Sequence, residues 1–367
     1  MLELVTEMLS PYPVYAVGGC VRDYVMGNTP KDYDFCTTAE PDVIHAKIME
    51  SKNEHGDGRR AYITGKKFGT LAFKEGEDMI EITTFRKEEY EPGNRKPEVT
   101  YVKTIGEDLS RRDFTINAIA IRLTKGHLKI IDPFGGEEDI EAKIIRAVGI
   151  PKQRFKEDPL RILRAIRFAA RYGFDIEEVT LKKLKKMANH LTEISKERWM
   201  IEFDKILLSE HTMYGLELLW ENKIFLWTIP ELQLQYKYDQ NSEYHDFRLN
   251  THTKMVVNSC PDDLNLRWAA LLHDIAKPFV RTDREVARMP DELNGPMDTT
   301  TYTKSNYVGH EILGAEIVAR YALYLKWSKD RRETVTELVR NHLNDNCPLR
   351  EYDNMNKTIL KEDLKDS

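Results

Sequence analysis

Cysteine is scarce in this chain. Only Cys20, Cys36, Cys260 and Cys347 occur, and no two form a Cys-x-x-Cys pair. That spacing supports neither a zinc ribbon nor a disulfide framework, so reduced thiols are expected. No apolar run approaches the roughly 18 residues of a membrane span. Met1 to Ser10 holds two acids and no basic residue, so no secretory leader is expected and the cytoplasm is the expected location. Internal repeats and low-complexity tracts are also missing, and a formal net charge of -6 argues against indiscriminate binding to polyanions. What remains is 367 residues of ordinary globular composition, enough for two or three domains.

Against that background two aspartates stand out. In Lys31-Asp32-Tyr33-Asp34-Phe35, an extended backbone would point Asp32 and Asp34 to one side, because residues i and i+2 share a face. Taken alone, an Asp-x-Asp reads more readily as a surface strand. Its surroundings change the balance. Val14 to Val17 is a short β-prone run, Gly18-Gly19 follows, and Val21 to Met26 before Gly27 reads as a short helix. Strand, glycine turn and helix form a place where backbone can approach a polyphosphate, with Arg22 as a forked donor. The plainer alternative is that the glycines only turn the chain and Arg22 pairs with Asp23. Paired carboxylates beside a phosphate-binding turn suit magnesium and point to phosphoryl or nucleotidyl transfer.

The pattern along the chain changes once. Up to about residue 140, β-prone runs (Val14 to Val17, the aspartate strand, Ala61 to Thr64, Thr70 to Phe73, Met79 to Phe85, Ile116 to Leu123, Leu128 to Ile131) alternate with helical stretches, which predicts a mixed-sheet α+β head. Beyond Gly149 the periodicity is helical: Pro159 to Tyr172, Glu177 to Ala188, Lys196 to Leu208 and Tyr214 to Glu221. Arg281 to Asn306 is polar, contains Gly295-Pro296 and reads as a loop between helices. Charge is uneven too. Lys143 to Arg171 holds nine basic residues and two acids, Glu157 and Asp158, which suggests a localised anion site in an acidic protein. Asp158-Pro159 reads as an N-cap and first helical position, and Arg161, Arg164, Arg167 and Arg171 then share one face. A solvated helix face fits the same spacing.

Gly18-Gly19-Cys20-Val21-Arg22-Asp23 with Lys31-Asp32-Tyr33-Asp34 resembles the signature of the class II tRNA nucleotidyltransferase and bacterial poly(A) polymerase family. Phe68-Gly69-Thr70, Glu81-Ile82-Thr83-Thr84-Phe85-Arg86, Arg111-Arg112-Asp113-Phe114-Thr115-Ile116-Asn117-Ala118, Asp132-Pro133-Phe134-Gly135-Gly136 and Glu157-Asp158-Pro159-Leu160-Arg161 resemble its further motifs in the same order. The likeness is close over about the first 210 residues, although Phe68 stands where members often carry histidine. It implies a polymerase-beta-like nucleotidyltransferase head over 1–140, a helical neck that recognises the base over 141–235, an HD-like helical domain over 236–350 and a tail over 351–367.

By that resemblance Asp32 and Asp34 hold Mg2+, and Glu81 is a third carboxylate that orients or deprotonates the RNA 3′-hydroxyl. Gly18, Gly19, Arg22 and Arg112 lie along the nucleotide phosphates. Asp158 would accept a hydrogen bond from the exocyclic amine of cytosine or adenine while Arg161 donates to the neighbouring ring atom, and Arg164 and Arg167 bear on base edge or phosphates. Uracil and guanine offer a carbonyl there and would leave acceptors unpaired, which can discriminate by roughly 10⁴-fold. The expected reaction is CCA addition to tRNA from CTP and ATP, with the acceptor and T arms held by shape and charge. The charged segment from Lys87 to Pro97 resembles the family's flexible loop for the change from adding C to adding A. Further on, His252, His273-Asp274, His310 and His342 resemble the HD superfamily, whose residues bind a divalent metal and hydrolyse phosphoesters; Asp345 is the candidate final aspartate. Neutral imidazoles with a carboxylate suit a second, transition metal. Two other readings stand beside this one: a poly(A) polymerase, and an HD metallophosphohydrolase with a vestigial transferase head.

Overall fold

The structure is a computed structural model that describes residues 1–30, 32–52, 56–65, 69–89, 98–124, 126–241, 247–287 and 301–354. Among these, no helix is long and apolar enough to cross a membrane. The chain divides into two compact units, residues 1–161 with 174–184, and residues 162–173 with 185–367.

The first unit opens with α1 (Leu2–Met8), β1 (Val14–Val17), α2 (Gly19–Val25), β2 (Tyr33–Thr37), α3 (Pro41–Glu50), β3 (Tyr62–Gly65), β4 (Thr70–Glu75) and β5 (Asp78–Thr84). It continues with β6 (Arg86–Glu89), β7 (Glu98–Tyr101), α4 (Ile105–Ser110), β8 (Ala120–Thr124), β9 (His127–Ile131), α5 (Gly136–Glu141), β10 (Ile144–Ile145) and α6 (Pro151–Glu157). Seven strands form one sheet in the order β3-β4-β5-β2-β1-β8-β9. Only β2 and β5 pair in parallel, so this is the mixed sheet expected from the sequence.

Alternation along the strands explains the two faces. Val14, Phe35, Leu71, Phe73, Ile80 and Ile82 point to one side and pack with Val5, Leu9, Ile44 and Ile48 from α1 and α3. Tyr15, Val17, Cys36, Phe85 and Ala120 point to the other and pack with Leu109 and Val148. A residue between Ile80 and Ile82, or just before Phe35, must therefore face the second side. Glu81 and Asp34 occupy those places. The expected strand from Ile116 is corrected: Thr115–Asn117 is a 3₁₀ turn and the strand starts at Ala120.

The helix α7 (Leu160–Tyr172) begins in the first unit and passes into the second at Ile162. β11 (Asp175–Ile176), which pairs with β10, and most of α8 (Glu178–Met187) return to the first. The second unit then runs through α9 (Lys196–Leu207), α10 (Thr212–Glu221), α11 (Phe225–Thr228), α12 (Pro230–Gln233), α13 (Leu249–Ser259), α14 (Leu264–Leu272) and α15 (Lys277–Val280). A hairpin of β12 (Thr282–Ala287) and β13 (Thr301–Asn306) leads to α16 (His310–Tyr324) and α17 (Lys329–Arg340). That hairpin corrects the loop expected over Arg281 to Asn306. Trp199, Trp220, Trp268, Phe203 and Phe225 form the unit's aromatic core. The helical body thus matches the expected class.

Candidate active site and metal centre

The first cluster forms where β1 gives way to α2. Gly18, at φ +72, is the N-cap of α2; an added Cβ there would sit 3.1 Å from Arg112 Nη1 and 3.5 Å from Asp34 Oδ2. Asp34 and Glu81 are direct partners in the parallel β2–β5 register, so two carboxylates share one face at one level of the sheet. Glu81 lies on an interior strand, not on an edge. Asp32 is exposed and precedes the strand. Burial first, then the Glu81 and, more weakly, Asp32 carboxylates push the Asp34 carboxyl up, against the pull of Arg112. Such a cluster of negative charge is suited to a divalent cation. Burial also pushes up the thiols of Cys20 on α2 and Cys36 on β2, so both pack as neutral side chains.

The arginines around it are braced. Arg22 donates to Asn117 Oδ1 at 2.6 Å and to Asp23 Oδ1 at 2.8 Å; Asn117 in turn donates to Asp113 at 3.0 Å. The Arg22–Asp23 pair is the plainer of the two sequence readings. Asp108, fully buried, receives Arg111 at 2.8 Å and Arg112 at 3.2 Å. Burial raises its carboxyl, but the two guanidiniums outweigh burial and hold it below the usual range. Sequence reading missed Asp108, whose only visible signal is its place three and four residues before an Arg-Arg pair.

The Glu157-Asp158 segment joins the same network. Asp158 Oδ1 accepts the Leu160 N–H at 3.1 Å, and α7 begins at Leu160, one residue later than the Pro159 start expected from the spacing. Arg161 is buried and donates to Glu157 at 3.0 Å and to the Arg111 carbonyl at 2.8 Å. Arg154 donates to Glu157 at 2.6 Å and to the Ser110 carbonyl at 2.8 Å. A continuous path therefore runs from Asp34 and Gly18 through Arg112, Asp108 and Arg111 to Arg161. The sequence marks Arg154 only by its charge and Glu157 only by its motif, and neither signal shows this bracing role. The arginine face of α7 is only partly solvated: Arg161 and Arg167 are buried, Arg164 is half-buried and Arg171 is exposed. In the second unit Arg167 pairs with Glu202 at 3.3 Å and covers Phe168, and Arg164 lies over the same ring. Burial and these arginines, with Arg171, push the Lys205 ammonium down. Lys31, Phe68 and residues 90–97 of the charged loop lie outside the described residues.

The second cluster lies wholly in the second unit. His252 comes from α13, His273 and Asp274 follow α14, His310 opens α16 and His342 follows α17. All five are buried and the structure brings them together, along with a sixth residue, Asp353. Two groups form: His252, His273 and Asp353; and Asp274, His310 and His342. Asp345 is not among them; its carboxylate is 95% exposed and 3.8 Å from Arg350. Leu349, four residues before Asp353 and fully buried, is the one sequence signal that this turn faces inward. Burial opposes ionisation of Asp274, but His273 and Lys277 hold its carboxyl well below the usual range. Burial lowers His342 to about 3.

A profile of the Poly A polymerase head domain matches residues 14–146, one of the probable RNA and SrmB-binding site of polymerase A matches 173–235, and one of the HD domain matches 249–366. The chain thus joins a poly(A) polymerase-type head, a region matching the probable RNA-binding site of such polymerases, and an HD domain. The CCA-adding enzyme of Streptococcus pneumoniae serotype 19F is 34% identical over 301 residues, covering 80% of this chain and 69% of that protein. The enzyme of a Geobacillus strain is 40% identical over 287 residues, covering 77% and 65%. This chain belongs to the CCA-adding enzyme family. It spans about half the length of some curated relatives, such as the Streptococcus suis CCA-adding enzyme, matched over 52% of its length at 40% identity. Among solved structures, the Bacillus stearothermophilus CCA-adding enzyme in complex with CTP aligns with a TM-score of 0.62 at 25% identity, covering 96% of this chain and 79% of that one.

Proposed function

We propose that this chain adds C, C and A to the 3′ end of tRNA from CTP and ATP, releasing pyrophosphate, in the cytoplasm. The observation that carries the reading is the placement of Asp34 and Glu81 as register partners on one sheet face, with Gly18 and Arg112 at the Asp34 carboxylate. Membership of the CCA-adding family and the likeness to an enzyme solved with CTP support it.

The oxygen donors of Asp32 and Asp34, and the crowding of negative charge on Asp34, fit magnesium. When bound, magnesium would lower the pKa of the attacking hydroxyl and offset charge on the leaving pyrophosphate. Glu81 orients the 3′-hydroxyl and takes its proton. Gly18 and Gly19 leave room for the phosphates, Arg112 donates to them, and Arg22 contributes by exchanging one of its present partners. Asp158 accepts from the exocyclic amine of cytosine or adenine, Arg161 donates beside it, and Arg164 and Arg167 support the base edge and phosphates. The acceptor and T arms of tRNA are held by shape and backbone charge. The HD cluster of His252, His273, Asp274, His310 and His342 holds a divalent transition metal.

The test is incubation with tRNA lacking its terminal CCA and each labelled nucleotide in turn. CTP alone should extend by two residues, CTP with ATP by three, and UTP or GTP not at all; chelation should stop extension and magnesium restore it. A long A tail from ATP alone would transfer the assignment to poly(A) synthesis. No extension at all would discard transfer.

A further inference from the structure

Basic side chains gather in the second unit where α7 meets α9. Gly215 on α10 lets the helices close up: a Cβ there would fall 2.7 Å from Ala170 Cβ on α7 and 3.0 Å from Ile206 Cγ2 on α9. Arg167 ties the same two helices, its Nε 3.3 Å from Glu202 Oε2. Next to Ala170 and Ile206 in the chain stand Arg171 and Lys205, and both are exposed at this junction.

Charge there is lopsided. Of the residues three and four positions from Lys205 on α9 (Ile201, Glu202, Leu208 and Ser209), only Glu202 is acidic, and Arg167 already pairs with it. Burial, then Arg167, and more weakly Arg164 and Arg171 push the Lys205 ammonium down, and Glu202 does not restore it. A lysine whose charged form is disfavoured in the folded state opposes folding at neutral pH, a cost more in keeping with a binding site than with a structural one. Aromatic rings hold the guanidiniums in place. Arg167 and Arg164 lie 4.3 and 5.4 Å from the centre of the Phe168 ring, Phe168 stacks on Tyr172, and Arg171 lies 5.1 Å from the centre of the Tyr172 ring. Guanidiniums fixed this way lose less freedom when an anion arrives. From Arg164 to Arg171 the row covers two turns of α7, about 10 Å. That length exceeds one small anion and suits a run of phosphates, and Lys205 widens the row from α9.

We infer that Arg171 and Lys205 form a site for backbone phosphates of the RNA strand. They stand beside the arginines given above to the incoming nucleotide, and the assignment rests on the reading of this chain as an enzyme that extends RNA. Each such contact neutralises a phosphate and releases its counterions, so it shows in the salt dependence of RNA binding and not in the affinity for CTP. The test measures retention of tRNA lacking its terminal CCA by the full-length chain, without nucleotide, from about 50 to 200 mM KCl. Lys205→Met, which keeps the stem and drops the charge, should weaken binding and make the log–log salt slope shallower by about 0.7–0.9. Arg171→Met should do the same, and Lys205→Arg should restore the slope. In steady-state extension Lys205→Met should raise KM for tRNA and leave KM for CTP as it was. Its melting temperature should hold or rise, because a repelled cation is gone. A wild-type slope in Lys205→Met overturns the site. So does a raised KM for CTP with RNA binding intact, which gives Lys205 to the triphosphate, and so does a lowered melting temperature with the slope unchanged, which makes it structural. Because binding is read without nucleotide, a chain that shows these slopes yet extends nothing discards nucleotide transfer and keeps the site.

Discussion

Asp34 carries its charge against its surroundings. Burial and the neighbouring Glu81 and Asp32 carboxylates raise its folded pKa above the unfolded value. A group shifted that way favours folding only at low pH, and the benefit is lost as pH rises through the folded value, so at neutral pH ionised Asp34 opposes folding. Asp34→Asn should therefore raise the melting temperature of the metal-free protein, by about 1–3 °C, while lowering nucleotide addition at least about 100-fold. Thermal melts in chelator, set beside primer extension, check both halves; a lower melting temperature would show that Asp34 is structural. Glu157 makes a different case. It accepts from both Arg154 and Arg161, so Glu157→Gln weakens the anchor of the guanidinium assigned to the base. The ratio of kcat/KM for CTP over UTP should narrow by at least about tenfold, with the fold retained. An unchanged ratio removes Glu157 from base selection.

At the scale of elements, two glycines contrast. In Asp132-Pro133-Phe134-Gly135-Gly136 the aspartate accepts the backbone N–H groups of Gly136 and Glu137 at 2.8 Å each and so starts α5. A Cβ on Gly136 would fall 2.3 Å from the Thr115 carbonyl oxygen. Gly136→Ala should destabilise by about 1–3 kcal/mol through overpacking. Gly106, in the first turn of α4 and with open space around its would-be Cβ, should instead gain about 0.4–1 kcal/mol on replacement by alanine. Urea unfolding of the two variants separates them; a neutral Gly136→Ala would mean the α5 start is free to shift. This motif was visible as a family signature, yet nothing in its letters distinguishes a helix start from a ligand contact. Strands such as Val14–Val17 and Asp78–Thr84 were legible because their apolar residues alternate or run together in a buried sheet. The β12–β13 hairpin was not, because Thr282–Ala287 and Thr301–Asn306 are mostly polar, with Val286 and Tyr302 too few to show an alternating apolar face, so pairing reveals them.

At the scale of the molecule, the sequence showed the change of secondary-structure class but not where the two units part, since the first runs to Arg161 and takes in 174–184. The change from β-prone to helical periodicity near residue 149 was readable, whereas Asp353 and Asp108 were not, since each matters through partners far along the chain or hidden by burial. Asp108 ties the first unit's stability to pH. It is wholly buried, receives Arg111 and Arg112, accepts the Arg86 N–H at 3.3 Å, and its carboxyl is held below the ordinary range. A carboxylate shifted in that direction stabilises fully above the unfolded pKa of about 3.9, and the benefit is lost as pH falls through the lower folded value. Asp108→Asn leaves two half-buried guanidiniums without their buried counter-charge, which costs up to about 3 kcal/mol at neutral pH. With two compact units, each with its own core, unfolding need not be a single step, and only the first unit's transition should move. Urea melts from pH 7 to pH 3 should show the deficit of Asp108→Asn constant down to about pH 4 and shrinking below it, as the wild-type carboxylate takes up its proton. A deficit equally large at pH 3 and pH 7 would mean that shape and packing at this position, not ionic pairing, hold the arginines that line the site.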